Sequence, residues 1–486
     1  MYPGANRQAR RQPTNARYEP PLSALLSLRP WRTEMLIVLG YVIATRVWAL
    51  SAAKIGFQAG PMPLFLTDMA LLALIAISMF HRGARLLFWA SSGTQAGVTG
   101  FAVWLLCAAA VVYFLLAFPN YRIYAARDFA IFGYSLFYPL TYFAISNRKW
   151  AVRALRYFVY SGLVAAMLIL VQSGTGINLV GGETRVVFGQ AIRYSADNDY
   201  GGVIAFSLVG FASMMMFEHR RKRIHLVAAL LCFVALADTG TRSAFVGVAL
   251  AASVTFLLLS HRYRLGFVVF VTMLAAAMLV GAWIPDSFPG AAALHKFYLA
   301  IASAFNGSQD ADAAFRMVRW KNAIGTWLQD PLFGAGFGRN ILNVMYLGDW
   351  SGEKFNMGMP HNTFLFLLAR MGLIGFSLVV FCWAGGVVRI AKAVRRSHQP
   401  DELAALNILV AMAGFGAFVL FFERPMNNAS FWIMLAVAQR LVDTSPIARV
   451  TRRFEQFRAL NLLPNSRKET GIALGAGTYL ALESKP

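Results

Sequence analysis

Apolar residues fall in long runs broken by short polar gaps, and the runs set the architecture. Stretches such as Leu64–Phe80, Val98–Phe118, Ala244–Ser260 and Gly266–Ile284 carry few charges. Each is roughly 17–22 residues long, the length an α-helix needs to cross a hydrocarbon core. The pattern predicts helices near 34–50, 62–80, 98–118, 128–146, 152–172, 200–217, 224–238, 243–260, 265–284, 362–388, 403–422 and 428–442, about twelve spans in all. Two intervening segments, Gln172–Asp199 and Pro285–His361, are too long for turns. Inside the second, Met317, Trp320, Ile324, Trp327 and Leu328 recur at helical spacing. Phe315–Gln329 is therefore expected as an amphipathic helix with Arg316 and Arg319 along one edge of its stripe, lying in the headgroup layer with the arginines toward lipid phosphates. Pro331 ends it, and Gly334, Gly336 and Gly338 make a tight turn.

Composition puts this pattern in a bilayer: 58% of residues are hydrophobic and 14% charged, against about 25% charged in soluble chains. The expected fold is an all-α polytopic membrane protein. A net charge of +23 does not mark a nucleic-acid partner, because the basic residues sit in the gaps between runs. With the N-terminus cytoplasmic, the cytoplasmic segments are the first tail, His81–Arg85, Asn147–Arg156, Glu218–His225, His261–Arg264, Arg389–Glu402 and the last tail. Together they hold roughly 30 of the 45 Lys and Arg, as the positive-inside rule requires. Residues 1–33 form a disordered basic tail, 34–284 carry nine spans, 285–361 form a large extracytoplasmic loop, 362–442 carry three spans, and 443–486 form a second cytoplasmic tail. Cys107, Cys232 and Cys382 lie inside apolar runs and predict neither a disulfide nor a zinc site.

A charge near the membrane is costly, so those expected inside spans or at the extracytoplasmic mouth are the ones to question. They are Arg185, Arg193, Asp197, Asp199, Asp238, Arg242, Arg316, Arg319, His361, Arg370, Glu423 and Arg424. Arginine's planar fork suits a diphosphate, and Arg193, Arg242, Arg316 and Arg319 come to one side from three segments. Each alone could equally meet lipid headgroups or a carboxylate. His361 precedes an apolar span in Pro360-His361-Asn362. The positive end of that helix should disfavour imidazolium and leave a ring able to accept a proton, as a general base needs; the plainer alternative is a histidine that caps the helix or hydrogen-bonds Asn362. Arg370, inside that span, is expected to pair with Glu423, and Arg46 to snorkel or pair structurally. No phosphate-loop or dinucleotide motif is present, and the histidines are too scattered for a metal site.

The ordered motifs Arg316-Met317-Val318-Arg319-Trp320, Pro331-Leu332-Phe333-Gly334-Ala335-Gly336-Phe337-Gly338, Pro360-His361-Asn362-Thr363-Phe364-Leu365 and Gly372-Leu373-Ile374-Gly375 resemble the bacterial O-antigen ligase and polysaccharide polymerase superfamily. Ser195–Tyr200 is similar to the family's asparagine-containing stretch, and Thr239–Gly247 to its Ser-Arg segment. The resemblance spans roughly residues 185–435. It implies a fold like that of lipid-sugar glycosyltransferases, and glycan transfer from undecaprenyl diphosphate at the periplasmic face of the inner membrane, without cofactor, metal or nucleotide sugar. The acceptor would be a second glycan, a lipid A core sugar or a protein hydroxyl. The family's diphosphate-binding arginines fall on Arg193, Arg242 and Arg316, with Arg319 beside them, and its histidine on His361; Asn362, Asn198 and Glu423 would support them. Many relatives carry an acidic residue where this chain has Arg370. A lipid-glycan flippase or other transporter is the competing class, and would show interrupted helices with ionisable groups near the midplane.

Overall fold

The computed structural model describes residues 30–48, 55–59, 62–82, 95–180, 183–187, 190–194, 198–258, 311–339, 341, 360–419 and 421–445, with isolated positions from 272 to 299. The first tail up to residue 29, the expected span 265–284 apart from isolated positions, most of the loop 285–361 and the tail beyond 445 lie outside the described residues.

Thirteen α-helices are present among the described residues: α1 (Pro30–Val47), α2 (Leu66–Arg82), α3 (Gln95–Tyr121), α4 (Ile123–Gly133), α5 (Phe137–Ala144), α6 (Arg148–Thr175), α7 (Asn198–Phe217), α8 (Lys222–Thr239), α9 (Arg242–Leu258), α10 (Ala311–Gln329), α11 (Thr363–Ser397), α12 (Pro400–Gly416) and α13 (Pro425–Asp443). Four stretches, Val98–Tyr121, Arg148–Thr175, Asn198–Phe217 and Thr363–Ser397, are long and apolar enough to cross a membrane, and Leu66–Phe80 and Arg242–Leu258 are shorter apolar helices. This is an all-α membrane protein. To it the structure adds two short antiparallel hairpins, β1 (Gly56–Ala59) with β2 (Met62–Phe65) and β3 (Glu183–Val187) with β4 (Gln190–Tyr194).

Local chemistry explains where the helix bounds depart from the apolar runs. The run 62–80 begins as strand, and α2 starts at Leu66, where the Asp68 carboxylate accepts from Phe65 N at 2.8 Å. The run 128–146 is divided by a 3-10 turn at Tyr134–Leu136. Pro139 follows that turn, has no N–H to donate, and crowds the carbonyl four residues earlier, so the wider α-helical ladder cannot run through. α12 ends at Gly416, and beyond it Phe421 N and Phe422 N donate to the Thr363 hydroxyl at 3.1 and 3.3 Å instead of continuing the helix.

Helices α7, α12 and α13 are buried on nearly every side and form the centre of the bundle. α3 is peripheral and turns Phe101, Leu105, Leu115 and Leu116 outward. Polar side chains bridge the buried faces: Asn407 Nδ2 donates to Ser213 Oγ at 2.8 Å and Thr255 Oγ1 to Asn407 Oδ1 at 2.9 Å. Arg46 does not snorkel. It is buried in contact with α6 and α7, where Nε donates to Phe158 O and Nη2 to Val203 O, each at 2.8 Å, with its guanidinium 3.5 Å from the Phe158 ring centroid.

The two ends of the bundle differ. At one end the arginines of the basic gaps are tied to carboxylates: Arg148 to Glu402 at 2.9 Å, Arg156 to Asp401 at 3.3 Å and to Glu218 at 3.4 Å, and Arg389 to Asp443. At the other end the chain gathers a different set of residues.

Candidate functional site

Helices α7, α9, α11 and α13 all begin at that second end. A helix start leaves four N–H groups without helical partners and carries the positive end of the helix dipole, so four starts together favour an anion. Local contacts join them. Arg424, the N-cap of α13, pairs with Asp199 in the first turn of α7, and Asn427 Nδ2 donates to Asp199 Oδ1 at 3.2 Å. Thr363, the first residue of α11, donates to Glu423 Oε2 at 3.3 Å. Gly201 in α7 packs so closely on Thr241 that a Cβ would lie 2.3 Å from its hydroxyl, which places Arg242, the first residue of α9, beside the start of α7. The starts of α11, α13, α7 and α9 thus form one contact series from His361 to Arg242.

His361 stands just outside α11 with φ at +53°, a conformation that L residues adopt at a cost. It does not cap the helix. Asn362 does, accepting from Leu365 N at 3.0 Å. Asn198 is the first residue of α7. Arg193 lies on β4 opposite Thr184, a few residues before that helix.

α10 lies on the bundle in the reverse sense to the one expected. Arg319, Ala323 and Thr326 are buried and Arg316 half-buried, while Met317, Ile324 and Leu328 are exposed. The polar edge of the helix is packed on the protein and its apolar stripe is turned outward, so the arginines face the bundle. Trp320 meets Phe418 at 5.9 Å between ring centroids, which brings α10 to the same end as the four helix starts.

The turn after α10 is built into a break in α11. At Gly372 the backbone leaves helical geometry (φ +60°, ψ −160°). The groups freed there are satisfied by the turn: Ala335 N donates to Ala369 O at 2.8 Å, Gly336 N to Arg370 O at 3.1 Å, and Leu373 N to Pro331 O at 2.9 Å. Arg370 does not pair with Glu423. Its Nε lies 3.1 Å from Asp128 of α4, a nearer carboxylate supplied by a helix distant in sequence.

Glu423 is buried in the 417–424 connection, and its Oε1 has no hydrogen-bond partner among the described residues. Burial pushes its carboxyl up to about 8, against the hydrogen bonds and the Arg370 charge that pull it down. Its folded value lies above the ordinary 4.5, so the stabilisation is complete below 4.5 and lost as pH rises through about 8. The melting temperature in detergent should therefore fall between about pH 4.5 and 8 and flatten in Glu423→Gln. The same slope in both proteins would show that another group is responsible.

Sequence reasoning passed over Thr363 and Asp128. Asp128 carried a signal, being a carboxylate within an apolar run; Thr363 stood within the Pro360–Leu365 motif but was given no role of its own.

Residues 226–380 match the family model described as O-antigen ligase. That segment, about a third of the chain, is similar to the O-antigen ligase family. No curated protein matches the chain. The matched segment contains Arg242, Arg316, Arg319, His361, Asn362 and the Gly372 splice, whereas Asp128, Arg193, Asn198 and Glu423 lie outside it.

Proposed function

We propose that this protein transfers a glycan from undecaprenyl diphosphate to an acceptor hydroxyl at the periplasmic face of the inner membrane. The observation that carries the reading is the gathering of four helix starts, Arg242 and the inward edge of α10 at the end that holds His361. Twelve spans, with the arginine–carboxylate end cytoplasmic, agree with the positive-inside pattern.

Arg193, Arg242, Arg316 and Arg319 hold the diphosphate and stabilise the charge that develops as it leaves. The acceptor oxygen attacks the anomeric carbon from the opposite face, His361 takes its proton, and the bond from that carbon to the diphosphate oxygen breaks, with inversion. Diphosphate is a good leaving group, so positioning and charge supply most of the catalysis. Asn362 orders the start of α11, while Asn198 and Glu423 support neighbouring starts. An apolar groove opening beside Thr363, lined by Phe364, Leu367, Trp383, Met412, Phe421 and Phe431, offers the isoprenoid chain a wall next to the anion site. The acceptor is a growing glycan or a lipid A core sugar.

The broken helix α11 is the one observation favouring a transporter, since discontinuous helices line many transport sites. Here the freed backbone groups are bonded to the protein's own turn, which favours the enzyme. The deciding experiment uses proteoliposomes and an undecaprenyl diphosphate oligosaccharide. Wild type should release carrier diphosphate and lengthen or transfer the glycan, and Arg242→Ala should fold yet react about 10²-fold more slowly. A donor that only changes leaflet would establish transport instead.

A further inference from the structure

The buried Arg370–Asp128 pair does more than neutralise two charges, because its other contacts converge on one short segment. Asp128 Oδ2, 3.1 Å from Arg370 Nε, also accepts from Gly338 N at 2.8 Å. Arg370 Nη1 donates to the carbonyls of Gly336 and Arg339. Between these bonds the fully buried Phe337 stacks on Phe132 of α4 at 5.2 Å and meets Tyr113 of α3 at 5.5 Å. Tyr113 in turn donates its hydroxyl proton to Phe333 O at 2.7 Å. Gly338 lies so near α3 that a Cβ would sit 2.4 Å from that of Tyr121. The turn is thus held by α3, α4 and α11 together, and it is the C-terminal attachment of α10.

We propose that Asp128 and Arg370 are positioning residues: their clasp on the glycine turn sets the height and rotation of α10, and so where Arg316 and Arg319 stand relative to Arg242 and His361. Its catalytic consequence rests on the glycan-transfer reading, whereas the clasp itself does not. Misplacement by about 1 Å far from the chemistry can lower a rate about 10²-fold, so a helix carrying two diphosphate ligands needs such an anchor. Asp128 lies outside residues 226–380, which extends the working part of the protein into its N-terminal third.

The test uses the full chain in nanodiscs, with Cys107, Cys232 and Cys382 replaced by alanine and spin labels on Tyr124→Cys and Leu328→Cys, both exposed positions. Asp128→Asn, which takes from the buried Arg370 its nearest carboxylate, and Arg370→Gln, which leaves Asp128 with the exposed Arg127 at 4.0 Å, are expected to broaden the α4–α10 distance distribution. They should also raise the donor KM about tenfold, whereas a purely structural loss would lower kcat at unchanged KM. The double variant keeps neutral groups able to bridge Gly338 N and the Gly336 carbonyl, so it should narrow the distribution again and lose less than the two singles combined. It also carries the test if the singles do not fold. An unchanged distance, a broadened distance with unchanged donor KM, or a double variant as poor as the sum of the singles would overturn the proposal. Wild type that transfers no glycan would overturn the functional reading and the catalytic half of the proposal, while the distance change would still report the clasp.

Discussion

His361→Asn is expected to fold as wild type does and to lower glycan transfer by about 10²–10⁴-fold, the range for loss of a general base. Asparagine is the informative replacement because of the backbone. His361 holds φ at +53°, a left-handed conformation that costs most L residues roughly 1–2 kcal/mol and asparagine least. Alanine would mix loss of the ring with a change in strain. The helix start should survive, since the Leu365 N–H is bonded by Asn362 and not by the histidine. His361→Gly separates the two effects from the other direction: it should stabilise the fold by about 1 kcal/mol through relieved strain and remain as inactive as the asparagine variant. Steady-state transfer in proteoliposomes, read beside thermal unfolding of the same preparations, gives both numbers. An asparagine variant turning over at the wild-type rate would remove His361 from the chemistry.

The helices and the gathering end were legible in the sequence for a physical reason. A bilayer imposes one length and one polarity on every span, so α6, α7 and α11 could be read from runs alone. The basic gaps likewise marked the end where Arg148, Arg156 and Arg389 now meet carboxylates. What failed was partner choice. Glu423 was the natural guess for Arg370 from the order of helices, yet Asp128 holds it, because contacts between distant helices leave no mark in local periodicity. The stripe of α10 was recognised and its sense reversed, since periodicity gives a face but not whether water, lipid or protein lies against it. The break at Gly372 was equally hidden, with apolar residues continuing through it on both sides.

That break carries the second large effect. Gly372→Ala is expected to destabilise the fold by roughly 3–5 kcal/mol and to abolish glycan transfer together with it. Two independent costs add. The backbone pair φ +60°, ψ −160° belongs to a region that only glycine occupies freely. A Cβ there would also lie 2.3 Å from Leu332 O and 2.4 Å from its carbonyl carbon, main-chain atoms that no rotamer change can move aside. Relief requires the turn to withdraw from α11, which breaks the bonds from Ala335 N and Leu373 N and leaves buried carbonyls unpaired. Gly336 is the control within the same turn: its φ is +81° but nothing lies within 4 Å of its Cβ position, so Gly336→Ala bears only the strain of about 1–2 kcal/mol. Thermal unfolding in detergent should therefore rank wild type above Gly336→Ala and that well above Gly372→Ala. Equal losses in the two variants would mean that strain alone acts and that the turn is not wedged against α11. A Gly372→Ala protein that folds poorly but transfers at the full rate per folded molecule would separate the splice from the chemistry it is argued to position.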